Sequence, residues 1–491
     1  MIKKAPMLRT SLLLAMTGMA LLTSCKKDPV DVNPLGTTTA SKSYVDNWIL
    51  SNMREVYYWN DKIPANPDTT LAPDKFFNSL LYKYDPTANP HGDRFSWIQE
   101  SSAVLSALLK GETKTTGMEF QLLLRTQGGK DVVGVVLYVL PGSPADKAGI
   151  KRSDIFYSVN GTNLTTTNYT LAFNTDVAQT YGFATGSATG LINTSVTKTV
   201  TPVVFQENPI FRDSVYTVGD RKIGYVLYNE FVPGPNSAGA NSTTYDDQLD
   251  AVFGKLKQQG INEMVLDLRY NRGGDVASSA KLASLLVKGV SGQTKVPYVR
   301  TEWNPIVTSA VKANPAKYGA DFFYYYFLNK SNNIGGQIQR LYVLTTDNTA
   351  SASELIINGL RPFMVVNTIG TTTAGKNVGS ITITDDQNLN NKWGIQPIAF
   401  RSYNKNNESD YWTGFAPTVA VDEPYGALYP LGDTRDALLA GAISHIRGLT
   451  TGGRMGRTNE LPVVGSSLDR KQGGSVVNVK LPQLPNGKLL N

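Results

Sequence analysis

The sequence predicts a mixed α/β chain in three folded parts: a helical N-terminal domain, a β domain, and a core in which helices cover a mostly parallel sheet. Three observations predict it. Apolar residues recur at helical spacing between residues 44 and 83, short β segments begin near Gly117, and after Asp220 buried strands alternate with amphipathic helices.

At the N-terminus, Lys3, Lys4 and Arg9 precede the apolar run Leu12 to Leu22, which is too short to span a bilayer and has the form of a secretory segment. The run ends in Leu22-Thr23-Ser24-Cys25, and Cys25 is the only cysteine among the 491 residues. This resembles the lipobox of bacterial lipoproteins, in which the cysteine is acylated and becomes the mature N-terminus. Residues 1–25 are therefore expected to be a lipoprotein signal peptide and Cys25 a membrane anchor, with no cysteine left for a disulfide or a metal. The expected place is the cell envelope, on a bacterial outer membrane, facing the periplasm or the cell surface. Removing residues 1–24 takes away three positive charges, so the formal balance falls from +7 to +4, too little to argue for nucleic acid.

Residues 26–41, rich in Pro, Thr and Asp, read as a flexible tether. The helical domain is expected over 42–112. Its helices are Tyr44 to Tyr58, with Val45, Trp48, Ile49, Met53 and Val56 on one face, and Lys75 to Lys83, with Phe76, Phe77 and Leu80. Tyr57, Tyr58 and Trp59 fit such a core face, and His91 in Pro90-His91-Gly92-Asp93 fits a solvated loop.

The β domain is expected over 115–205, with strands Met118 to Leu124, Val132 to Val139 and Ile155 to Val159. Pro144 to Ile150 gives a short helix ended by Gly149, and Asn160-Gly161 gives a tight turn. This order closely resembles a PDZ domain. The resemblance implies capture of an extended C-terminus by strand addition, its carboxylate held by amides of the loop Gly117-Met118-Glu119-Phe120. Glu119 stands where many relatives have a second glycine, and its charge opposes a carboxylate. A purely structural spacer stays open.

The core is expected over 215–447. Its strands are Lys222 to Tyr228, Met264 to Arg269, Leu341 to Leu344 and Val365 to Ile369; its helices are Tyr245 to Gln259, one beginning near Ser351, and Thr434 to Arg447. Phe322 to Phe327 fits either a cleft wall or a buried strand, and His445 a structural position. Residues 448–491, rich in Gly, Ser, Asn and Pro with no aromatic from Thr450 onward, are expected to be largely disordered.

Ser351 in Thr349-Ala350-Ser351-Ala352-Ser353-Glu354 and Lys376 in Thr373-Ala374-Gly375-Lys376 each follow a strand. A serine that opens a helix presents its oxygen where amides and dipole favour an oxyanion, and a buried lysine loses its charge and becomes a base. The chain has only two histidines, which leaves serine–histidine chemistry few candidates. The bland alternative is a capping box, Ser351 and Glu354 satisfying the first helical amides.

Asp267-Leu268-Arg269-Tyr270-Asn271-Arg272-Gly273-Gly274, the Ser351 segment and Gly375-Lys376, behind a PDZ-like domain, resemble the carboxyl-terminal processing peptidases of family S41. The resemblance implies a core of ClpP/crotonase-like type, Ser351 as nucleophile, Lys376 as general base, and Gly273 or Gly274 with Ala352 as oxyanion-hole amides. It also implies protein or peptide substrates with accessible C-termini and no metal or cofactor. Pro362 stands eleven positions after the serine, where many relatives carry an acidic or amide residue thought to orient the lysine. The alternative function is a catalytically silent lipoprotein that binds unfolded or tail-exposed proteins.

Overall fold

Ser41 caps the first helix, α1 (Lys42–Val56), by accepting from the Tyr44 amide, and Val45, Ile49, Met53 and Val56 line its buried face. The computed structural model describes residues 39–449, except 188, 189, 240 and 291, and residues 461–471. The expected signal peptide, Cys25 and most of the tether lie outside the described residues. Helix α2 (Pro73–Ser79) starts with proline at its first position and buries Phe76 and Phe77. These side chains belong to one apolar cluster with Val226, Leu266, Leu355 and Phe400 of the sheet core. The N-terminal helices thus share the core's interior, because two short helices bury too little surface to stand alone.

The β domain contains β1 (Met118–Leu124), β2 (Val132–Val139), β3 (Ile155–Val159), β4 (Gln179–Ser187) and β5 (Gly190–Val200), paired antiparallel in that order. Asn160 at φ 50° and Gly161 at φ 76° make the turn after β3. Phe120, Val136, Phe156 and Tyr181 fill a cluster of its own.

The core sheet has six strands: β6 (Ile210–Val218), β7 (Arg221–Tyr228), β8 (Glu263–Asp267), β9 (Arg340–Thr345), β10 (Val365–Gly370) and β11 (Val419–Ala420), in that spatial order. Only β6 is antiparallel; β7 to β11 run parallel, so their carboxyl ends share one edge. Helices α3 (Thr244–Gln258), α4 (Val276–Leu286), α5 (Ala352–Leu360) and α6 (Ala437–Ile446) cover the sheet. Tyr324–Tyr326 pairs with Pro297–Trp303 in a second sheet, so the aromatic run is a strand with Phe322 and Phe323 packed against the core.

The disordered tail expected over 448–491 is corrected in part. Residues 461–471 are folded: β12 (Val463–Ser466) adds antiparallel to β1, and Leu468 is fully buried in a core cluster. Composition misled because the segment's order comes from a neighbouring strand edge and not from its own apolar content. Residues 450–460 and 472–491 lie outside the described residues.

Candidate active site

Three loops leave the carboxyl edge of the sheet side by side: Leu268 to Gly274 after β8, Thr346 to Ser351 after β9, and Thr371 to Lys376 after β10. They are stitched together by hydrogen bonds. The Ala350 amide donates to the Asn271 carbonyl at 3.1 Å, Ser353 Oγ to the same carbonyl at 3.0 Å, and the Ala374 amide to the Thr349 carbonyl at 3.0 Å.

Ser351 opens α5 with φ 60° and ψ −113°, a region L-residues avoid at a cost of about 1–3 kcal/mol. Glu354 shows why the turn holds. Its buried carboxylate accepts from the Ser351 amide (2.8 Å), the Lys376 amide (2.8 Å), the Gly375 amide (2.7 Å) and Thr373 Oγ1 (2.6 Å). Burial pushes the Glu354 pKa up, while these hydrogen bonds pull it down. The Glu354 part of the expected capping box is therefore present and also does something more: one carboxylate accepts from the amides of both Ser351 and Lys376, 25 positions apart in sequence.

Lys376 is 4% exposed. Burial of its ammonium lowers the pKa to about 7, with Asp93 opposing that shift and Arg272 adding to it. Its Nζ lies 5.0 Å from the centre of the Phe95 ring. The residue sequence analysis missed is thus in the N-terminal part. Asp93, in the His91 loop, is buried, accepting from Tyr57 Oη at 2.8 Å and from the Phe95 and Ser96 amides. Arg94 donates to the carbonyls of Gly375 and Trp412. The Asp-x-Phe-Ser pattern of amide capture was a local signal, but nothing local links it to a loop 280 residues away. His91 is exposed, with its ring edge-on to Trp412 at 4.6 Å.

Of the two glycines, Gly273 spends its amide on Asn271 Oδ1 at 2.9 Å. The amides of Gly274 and Ala352 donate to no acceptor among the described residues, so both are available to a bound group. Gly273 serves instead by smallness: a Cβ there would lie 2.7 Å from the Ser351 Cβ. Lys376 opens on a cavity of about 280 Å³ that Arg94, Phe95, Arg272, Ala350 and Asp469 also line. Among the described residues no three His, Cys, Asp or Glu side chains are placed to hold a metal ion.

The loop expected to hold a carboxylate is differently engaged. The Gly117 and Met118 amides donate to Thr115 Oγ1 and Thr116 Oγ1, and the Phe120 amide to Ser467 Oγ at 2.8 Å. Glu119 is fully buried against Arg470. Burial would raise its pKa, but Arg470 and Lys471 bring it below its ordinary value.

Residues 222–421 match the family model described as Peptidase family S41, residues 44–97 the Peptidase S41 N-terminal domain, and residues 135–172 the PDZ domain. The chain is 29% identical over 209 residues to a chloroplastic C-terminal processing peptidase of Tetradesmus obliquus, covering 40% of this chain and 42% of that one. It is 32% identical over 160 residues to a carboxyl-terminal-processing protease of a Picosynechococcus species, covering 32% and 35%. The chain thus spans less than half the length of these curated relatives. A crystal structure from Bacteroides fragilis, assigned to the S41 proteases, superposes with a TM-score of 0.64 at 26% identity, covering 82% of this chain and 97% of that one.

Proposed function

The chain belongs to peptidase family S41, with that family's N-terminal domain and a PDZ domain, and from this premise we propose that it is a serine endopeptidase cleaving proteins near their C-termini through a Ser351–Lys376 dyad. The observation that carries the proposal is the buried Lys376, its pKa lowered to about 7, bracketed with Ser351 on one carboxylate. A neutral lysine takes the Ser351 proton as Oγ attacks the scissile carbonyl. The oxyanion forms opposite the Gly274 and Ala352 amides, each donor contributing about 10²-fold to 10³-fold in rate. Lys376 then returns its proton to the leaving amine, and water hydrolyses the acyl-enzyme with the same lysine as base. With Pro362 in place of an orienting polar residue, Phe95, Asp93 and the Glu354 bond to the Lys376 amide support the lysine here.

Incubating the form lacking residues 1–25 with unfolded proteins tests this. Wild type should cut and Ser351→Ala should not; cutting by both forms would end the dyad assignment. We infer further that Cys25 is acylated and ties the chain to an envelope membrane. No helix of the described residues is long and apolar enough to cross one. Cys25→Ala should move the protein out of the membrane fraction, and fatty acid found on that variant would refute the anchor.

A further inference from the structure

The groove of the PDZ-like domain already holds a ligand, and the ligand is this chain. Strand β12 pairs with β1 in the register Val463 to Leu123 and Ser466 to Gln121, and the Leu124 amide donates to the Pro462 carbonyl at 2.9 Å. This is strand addition beside the Gly117–Phe120 loop. Among the described residues no terminal carboxylate enters the loop. Instead Arg470 forms a two-pronged ion pair with Glu119, Ser467 Oγ donates to Glu119 at 2.6 Å, and Lys471 pairs with Glu207. Glu119 and Glu207 are both buried, so the groove floor requires cations above it. Beyond the strand the segment reaches the Lys376 cavity, where Asp469 pairs with Arg272 at 3.1 Å.

The fit is incomplete on one side. A cavity of about 330 Å³ remains between β12 and the Tyr169–Phe173 turn, walled by Met118, Phe120, Tyr169 and Phe173. The segment puts Val464 and Gly465 against it, and the Phe173 ring comes so close to Gly465 that a Cβ there would lie 3.3 Å from it.

We propose that residues 461–471 are a built-in ligand of this groove, recognised by two basic side chains and not by a terminal carboxylate, and that they screen the Ser351–Lys376 cavity until an extended basic peptide displaces them. The screening rests on the peptidase assignment; the binding does not.

The test uses a fluorescent peptide with the sequence of residues 461–471 and the full chain. Wild type, its groove filled, should bind it weakly. Arg470→Glu with Lys471→Glu sets like charges against Glu119 and Glu207 and should free the groove. That variant should bind the peptide roughly ten-fold more tightly than wild type, the factor set by 1.4 kcal/mol, and its kcat/KM on unfolded protein should rise by a similar factor. Peptide affinity equal to wild type in the folded variant would overturn the proposal. Should the variant fail to fold, Leu123→Cys with Val463→Cys, in a Cys25→Ser background, locks the strand reversibly. The oxidised form should exclude the peptide and the reduced form admit it; equal binding by the two would also overturn the proposal. Peptide binding as expected with no proteolysis in any form would instead sink the peptidase assignment and leave the ligand standing.

Discussion

Lys376 carries two expectations, for activity and for stability, that both rise with pH. Because the folded chain holds its pKa near 7, against 10.5 for the ordinary group, activity should rise as pH passes through about 7 and the free amine forms. Lys376→Arg should be nearly inactive, since a guanidinium stays protonated; turnover by that variant equal to wild type would remove the lysine from the mechanism. Stability follows with a worked sign. Between pH 7 and 10.5 the unfolded chain binds a proton that the folded chain does not, so this group makes stability increase with pH across that window. Lys376→Met should flatten that part of the profile in denaturant melts while abolishing activity. Glu354→Gln keeps the shape but sets an amide group against donors. It should lose most activity and about 1–3 kcal/mol or more of stability, the cost of a buried polar group left unpaired.

Helix α4 places a testable device at the level of an element. Its N-cap, Asp275, accepts from the Ser278 amide at 2.7 Å, yet burial raises its pKa to about 6. The folded state therefore binds the proton more tightly than the unfolded state. The penalty on the charged form is fully felt above pH 6 and vanishes below the ordinary value of 3.8. Asp275→Asn retains a capping oxygen and removes the charge. It should raise the melting temperature at pH 8 and change it little below pH 3.8; a rise of equal size at both would show that charge burial is not the cause. The same element logic explains Gly274, at φ 134°, where a Cβ would meet the Phe231 carbonyl oxygen at 2.2 Å.

At the scale of the whole molecule, one buried ion cluster ties the PDZ-like domain to the sheet. Arg269, fully buried after β8, pairs with Asp267, Glu423 and Asp436. Arg152, from the loop before β3, reaches the same Glu423 and Asp436 and the Tyr270 hydroxyl. Arg269→Met should destabilise by about 3–5 kcal/mol, because three acids would be left without their central cation. Arg152→Met leaves Arg269 in place and should cost less; calorimetry showing the reverse order would mean that the domain contact, and not the sheet, depends most on this cluster.

The sequence alone determined the strands and helices whose periodicity is local, among them β1 to β3 residue for residue and α3 to within a residue at each end. It also placed Ser351 and Lys376 in the loops that follow two strands of one parallel sheet, whose ends converge. Tertiary structure decided what depends on distant partners. It left the Gly274 amide open and not that of Gly273, because a side chain two residues back, Asn271, captures the Gly273 amide. It brought Asp93 and Phe95 to the lysine, and it turned a polar, Gly-rich tail into a strand. A segment with little apolar content of its own gains order only when a free strand edge and buried acids supply its hydrogen bonds and charge partners, and neither is written in its own residues.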